Sequence, residues 1–490
     1  MRESSPIWML LVCLVMMSWR PDNADADQAS VACRTSEQIV AFTNVNLVPM
    51  TDDRVVAAQT VVICGETIVG VGQSSALPVP SHARIIDGQG AYLLPGLADM
   101  HMHTRADWLD GAWPVSPFDL YLANGVTTVR NFGAAGPSPK QALIWRDRIT
   151  RGEMSGPRML VGALLGIEPV KDVRSFVQMR AAEGYDFVKL YSFLAEQEFI
   201  QAVDAANKAG KRTLGHIPFA VGLDGVLSGG MDEIAHIEEL DFEFLDFDRT
   251  SRLQPLEWFT YLIEIGAQQT APFETADGLD LQRYEETNPG RLAGIVDKLR
   301  TADIPISSTL VVGETIVRKL FHREEFLARP ENQYLPADYW AAFNNGQEKH
   351  LHLFKDHERF AQSKYETETM LLRELHTAGV PVILATDAGT GQMGIVPGFS
   401  IHDELRILTE NGFTPYEAIS AGTAVASRVA AKITGADEFG TIEYGKRADL
   451  LLVRSNPLAD VANLKDPIVV MAAGRWYSRA QLREMIDLRR

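Results

Sequence analysis

The chain has 490 residues, 46% hydrophobic and 22% charged, with 38 glycines and 24 prolines. That make-up excludes a disordered chain, a membrane bundle and a collagen-like or low-complexity polymer. Acidic residues number 64 against 46 basic ones, for a net charge of -18. Its long-range field repels phosphate, which excludes non-specific binding to nucleic acid or anionic membrane.

The N-terminus comes first. Ile7 to Met17 is an unbroken apolar run, long enough for the core of an export signal and too short to span a bilayer. Ala24-Asp25-Ala26 offers a small-x-small cleavage site. Residues 1–26 therefore read as a signal peptide, and the mature chain as periplasmic or secreted with no stable membrane span. Glu3 beside Arg2, and Arg20 after the run, depart from that pattern, so an anchoring N-terminus is the other reading. Cys13 would leave with the signal, whereas Cys33 and Cys64 stay and an oxidising compartment permits them to pair. Sequence does not supply the Cα separation that a disulfide needs.

From 37 to 93 short β-runs alternate with turns: Ile39–Phe42, Val61–Ile63, Thr67–Val69 and Ala83–Gly88. The same texture returns in Gly440–Glu443, Ala448–Val453 and Ile468–Met471. Two β-rich ends around a long middle suggest one composite β-sandwich domain over 37–93 and 435–480, since chain termini often lie close together. Between them, over 94–434, eight apolar runs alternate with helical stretches: Gly96–Thr104, Gly125–Phe132, Arg158–Leu165, Phe187–Ser192, Arg212–Pro218, Glu233–Leu240, Ile304–Val312 and Pro381–Ala388. Eight such units predict an α/β fold with a (β/α)8 TIM barrel. Thr414–Ala430 reads as a helix with a capping box from Thr414 to Glu417 and Pro415 at its first position. The segments 241–303 and 313–380 are too long for single crossover helices. They are insertions expected to cover the barrel mouth.

The chemistry begins at Asp99-Met100-His101-Met102-His103. On a strand, residues two apart share a face, so His101 and His103 point together and form half of a metal shell. His350-Leu351-His352 lies in a charged helical stretch, where the same spacing diverges, and reads as solvent-exposed. His216 closes the fifth predicted strand, His236 lies on the sixth and Asp387 closes the eighth. Each alone fits a core histidine or a helix cap; together at one mouth they suggest a metal site. Lys189 shares a face with Phe187 and Tyr191 and points into the barrel. Two readings stand for it. It pairs with a barrel carboxylate, or it is a desolvated neutral amine that has captured carbon dioxide as a carbamate able to bridge two metals.

With these landmarks, and with Gly125–Arg130 and Gly445–Leu450, the chain resembles the amidohydrolase superfamily, in its imidazolonepropionase-like and Xaa-Pro dipeptidase-like branch. The resemblance implies a (β/α)8 barrel with a small β-sandwich and a binuclear zinc site. His101, His103 and Asp387 would hold one ion, His216 and His236 the other, with carbamylated Lys189 between them. It also implies hydrolysis of an amide or peptide bond, of dipeptides or N-acyl amino acids, through a metal-bridging hydroxide with Asp387 as general acid and base. Tyr191 is the candidate substrate-facing group. One departure from the family pattern is Arg130-Asn131-Phe132-Gly133, with Asn131 where an aspartate often stands; Arg130 either faces the mouth or pairs with a carboxylate. Alternatives are a mononuclear cyclic-amide hydrolase or deaminase with Lys189 structural, and a secreted binding protein on a decayed barrel. The expected partner is a small amide or dipeptide, with no nucleic acid; a homo-oligomer is compatible. His402 reads as a helix-start residue, and Trp258, Tyr339 and His322 fall in the insertions.

Overall fold

Alternating apolar residues at both ends of the chain bury one face and build a single hydrogen-bonded sheet. The computed structural model describes residues 33, 38–135, 140–251, 253–275 and 278–488; the signal-peptide reading of 1–26 lies outside them. The N-terminal part contributes β1 (Ile39–Leu47), β2 (Val56–Cys64), β3 (Thr67–Gln73), β4 (Arg84–Asp87) and β5 (Tyr92–Pro95). The barrel takes up β6 (Leu97–Arg105), β7 (Val126–Ala135), β8 (Arg158–Leu165), β9 (Phe187–Leu190), β10 (Thr213–Gly215) and β11 (Glu233–Ile234). A small hairpin, β12 (Glu274–Thr275) and β13 (Gly278–Leu279), precedes β14 (Ile306–Ser307) and β15 (Val382–Ile383). The C-terminal part adds β16 (Leu450–Val453), β17 (Val469–Ala472) and β18 (Arg475–Ser478).

In the terminal sheet the order is β18-β17-β16-β5-β1-β2-β3, with β4 parallel to β1. The link between the two ends is β16 running antiparallel to β5, Leu451 opposite Leu94. Phe42, Val61, Leu93, Leu450 and Met471 share its core. Gly440–Glu443, expected as a strand, is a turn that Ile442 pins by donating its N–H to Pro49 O at 3.0 Å. Cys33 and Cys64 are joined by a disulfide with Cα atoms 5.7 Å apart, which fixes the pairing that the sequence left open.

The second sheet is parallel throughout, in the order β6-β7-β8-β9-β10-β11-β14-β15. It closes on itself, because Met100 N donates to Leu384 O at 3.1 Å and His103 N to Ala388 O at 2.8 Å. The chain is thus an α/β protein with an eight-stranded parallel barrel. The last three strands are shorter than the apolar runs that announce them. His236 and Thr309, two residues past β11 and β14, take φ of 75° and 52°, and Asp387, beyond β15, takes 57°, a left-handed backbone that a strand does not continue through. After these turns the chain winds into a 3-10 helix at Ile237–Glu243 and an α-helix at Val311–Phe321, where the runs Glu233–Leu240 and Ile304–Val312 read as strand.

The helix expected over Thr414–Ala430 divides into Pro415–Ala421 and Ala424–Thr434. Its capping box forms as expected, with Glu417 N donating to Thr414 Oγ1 at 3.2 Å and Thr414 N donating to Glu417 Oε2 at 2.8 Å. The break lies at Gly422, whose carbonyl leaves the helix to accept Ala98 N of β6 at 2.7 Å. A Cβ there would stand 2.5 Å from Leu384 Cδ2, so only glycine allows the approach.

Candidate metal centre

The period-two spacing on β6 delivers what it promises. His101 is fully buried and His103 partly so, and their Nε2 atoms stand 3.2 Å apart. Asp387 Oδ1 lies 3.4 Å from His101 Nε2 and 3.0 Å from His103 Nε2, so the three donors face one another across the seam where β6 meets the segment after β15. Gly389 permits that seam: its φ is 107° and a Cβ would fall 1.9 Å from His103 O. Asp99 secures the other side of the turn, accepting Thr386 Oγ1 at 2.5 Å and Thr386 N at 3.1 Å.

The remaining histidines come from β10 and β11. The ring of His236 is centred 4.3 Å from that of His101 and 4.8 Å from that of His216. Donor atoms of His101, His236 and Asp387 lie within 4.8 Å of one another, a spacing able to hold a metal ion. Three of the four outer nitrogens are engaged elsewhere, while His101 Nδ1 is buried without a partner. His103 Nδ1 is 3.2 Å from Gly133 O, His236 Nδ1 is 3.0 Å from Thr309 Oγ1, and His216 Nδ1 is bound to Glu239. Glu239 in turn accepts Ile217 N at 2.9 Å. Partners of this kind fix ring orientation and leave Nε2 for a ligand.

Burial sets the charge states. It holds His101 and His216 well below the usual imidazole range, with Lys189 adding to the effect, and brings His236 down to about 4. All three are neutral ligands at pH 7. Burial pushes Asp387 up, but the hydrogen bond from His103 and the charges of His103, His236 and Lys189 outweigh it and keep the carboxyl below its ordinary value. Lys189 is fully buried and burial brings its ammonium down to about 7, against the pull of Asp387, Glu239 and Glu233. Its Nζ has no hydrogen-bond partner and sits 4.6 Å over the ring of Phe132. Of the two readings for Lys189, the carboxylate pair does not form. Asp387 Oδ1 is likewise buried, with only the His101 and His103 rings beside it. An unpartnered amine, a carboxylate oxygen met only by imidazoles and converging neutral rings are a donor set suited to divalent metal.

Against solved structures the whole architecture recurs. A molinate hydrolase overlays with a TM-score of 0.64 at 18% identity, covering 93% of this chain and 97% of that one. A Xaa-Pro dipeptidase with bound methionine in the active site gives 0.59 at 20%, covering 90% and 100%. Residues 333–477 match the Amidohydrolase family. The chain has an amidohydrolase fold. A curated relative, an adenine deaminase of Staphylothermus marinus, is 32% identical over 92 residues, 18% of this chain and 15% of the relative's length.

Within this amidohydrolase fold the other residues singled out in the sequence take definite places, some as expected and some not. Arg130 turns into the barrel and pairs with buried Glu233, Nη1 to Oε2 at 2.8 Å, so it does not face the mouth. Asn131 donates to Thr104 Oγ1 at 2.8 Å and accepts Gly133 N at 3.1 Å. Phe132 stacks on His101 with ring centres 3.8 Å apart. His350, expected in solvent, is buried against the cavity wall, while His352 is exposed as expected. His402 is buried in a separate cleft with Asn124 and Lys465. Trp258 packs against Phe219, Tyr339 packs on Phe343, and His322 is exposed.

Above the histidines opens a cavity of ≈ 270 Å3. His103, His216, His236, Asp387 and Tyr191 line its floor. Both insertions supply its walls, with Phe242, Phe259 and Leu262 from one and Phe354 and Phe360 from the other. Tyr191 lies with its ring 4.2 Å from that of His216, and burial followed by the charge of Asp387 keeps its hydroxyl protonated. Glu239 and Thr309, which hold His216 and His236, and His350 in the cavity lining are the site neighbours that sequence reasoning missed. Glu239 alone left a trace, three residues past His236 in a run otherwise read as strand.

Proposed function

We propose that the chain is a metal-dependent hydrolase cleaving the C–N bond of an amide, with N-acyl amino acids or dipeptides bearing an apolar acyl group as substrates. The observation that carries this reading is the convergence of His103, His216, His236 and Asp387 on one cavity floor, with His101 and unpartnered Lys189 buried beside them. The fold shared with a Xaa-Pro dipeptidase and a molinate hydrolase supports it.

Two zinc ions are the proposed cofactor. His101, His103 and Asp387 would hold one and His216 and His236 the other, with Lys189, as a carbamate, a further ligand to them. With its pKa brought to about 7, a large share of Lys189 is neutral at pH 7. The amine lone pair then bonds to the carbon of carbon dioxide as one C=O π pair moves onto oxygen, the nitrogen passes a proton to water, and an anionic two-oxygen group results. When bound, the ions acidify water and polarise the scissile carbonyl. Asp387 is ionised and faces the cavity, so it accepts a proton from the attacking water and returns it to the leaving nitrogen. Tyr191 keeps its proton and can donate to the carbonyl oxygen. Phe242, Phe259, Phe354 and Phe360 exclude bulk water from the bond. A disulfide fits an oxidising compartment, and export is part of this proposal.

The test is a substrate panel with zinc and bicarbonate present: N-acyl amino acids, dipeptides, lactams, hydantoins and adenine. Turnover of the first two classes is expected, with more than tenfold loss on Lys189→Ala. Turnover confined to lactams, hydantoins or adenine contradicts the substrate class, and no turnover of any compound favours a binding protein.

A further inference from the structure

His350-Leu351-His352 opens the short helix Lys349–Leu353 with Glu348 as its cap, and Glu348 accepts His350 N at 3.1 Å and Leu351 N at 2.9 Å. Beneath it lies Lys319, a lysine with no exposed side-chain surface. Its Nζ donates to Glu348 Oε1 at 2.7 Å, Met393 O at 3.0 Å and His350 Nδ1 at 3.0 Å. An ammonium has three N–H groups and no lone pair. All three protons are thereby placed, and His350 Nδ1 can only accept. Burial lowers Lys319 to about 8, with Glu348 holding it up, so it is charged at pH 7. Burial and the neighbouring lysine keep the His350 ring neutral. The one ring proton therefore sits on Nε2, which no group among the described residues engages, and the ring lines the substrate cavity.

The next residue along is also basic. Lys349 lines the same cavity, its ammonium 5.7 Å above the ring of Phe259, and its charge is felt at His216. The acidic side chains Glu238 and Asp241, which line the same cavity, are already answered: Lys364 gathers them at 2.8 Å and 3.5 Å, together with Glu368. We propose that His350 Nε2–H and Lys349 receive the free carboxylate of the substrate, and that Lys319 is a positioning residue that fixes the tautomer of His350. This rests on the hydrolase reading for the reaction but not for the binding. It makes the substrate an N-acyl amino acid or dipeptide whose C-terminal carboxylate is unblocked.

The test compares N-benzoyl-phenylalanine with its carboxamide on the zinc-loaded enzyme and its His350→Phe and His350→Gln variants. Losing one hydrogen bond to a charged group should raise KM for the acid about 10- to 100-fold, with kcat nearly unchanged and the carboxamide little affected. Gln restores a donor near Nε2 and should recover most of the loss. Histidine-selective 15N NMR at pH 7 should show His350 protonated on Nε2, and Lys319→Met should release that lock. Equal loss for acid and carboxamide, or a proton on Nδ1, overturns the proposal. Should the enzyme cleave neither compound, the failure concerns the reaction and not the carboxylate site. Calorimetric binding of 3-phenylpropanoate against 3-phenylpropanamide then decides the carboxylate site by itself, and equal affinity for the two refutes it.

Discussion

His101, His216 and His236 stay neutral because the barrel strips water from them, and at His236 this outweighs the pull of Asp387. Neutral rings still rotate unless something holds them, and Thr309 Oγ1 does so for His236. Thr309→Val keeps the shape and removes the oxygen. Metal affinity should fall about 10- to 100-fold, as it does when an orienting partner is lost, with little change in thermal stability; competition with a chelating dye measures it. At this scale the sequence was legible where a period decided the matter. His101 and His103 converge because strand side chains alternate, and Asp387 stands at the end of an apolar run. Glu239 and Thr309 were not legible, because their positions follow from left-handed turns at His236 and Thr309 that no side-chain pattern announces. His350 was misjudged for a related reason: its burial depends on Lys319, 31 residues earlier.

Elements hold the site through a few buried junctions. Gly422 is one, where a helix breaks so that its carbonyl can bond β6 two residues before Met100. Gly422→Ala forces Leu384 aside in a filled interior, at a cost of about 1–3 kcal/mol. The shift reaches β6, so metal affinity should fall together with the midpoint of denaturant unfolding. The start of the helix Val311–Phe321 is another junction: Glu404 accepts Val311 N at 2.7 Å and Leu310 N at 3.1 Å. Burial raises this carboxyl to about 8, although Ser308 and both N–H groups oppose the shift. Below about pH 4.5 the group is protonated folded and unfolded, and above about 8 it is ionised in both. Between them the folded state holds a proton that the unfolded state lacks, so unfolding free energy falls as pH rises. Glu404→Gln should flatten that decline, and denaturation at pH 5 and pH 8 would show it; an unchanged slope would contradict the assignment. The Thr414 capping box was readable from local chemistry, whereas the break at Gly422 is set by a contact across the barrel.

Over the whole molecule, the barrel and the joining of the two ends were legible because eight apolar runs and two β-rich flanks repeat a simple grammar. The insertions were not. Their helices make walls only by packing on each other, and the cavity they enclose with Phe242, Phe259, Phe354 and Phe360 has no counterpart in local pattern. What the whole fold achieves is a water-poor chamber over six potential metal ligands, one of them an uncommitted amine. Metal content per chain, by elemental analysis of protein dialysed with zinc and bicarbonate, tests this most directly. Two ions per chain are expected, falling to one or fewer in Lys189→Ala with at least tenfold loss of amide hydrolysis. One ion per chain in both proteins, with equal activity, would contradict a bridging role for Lys189 and with it the proposed centre.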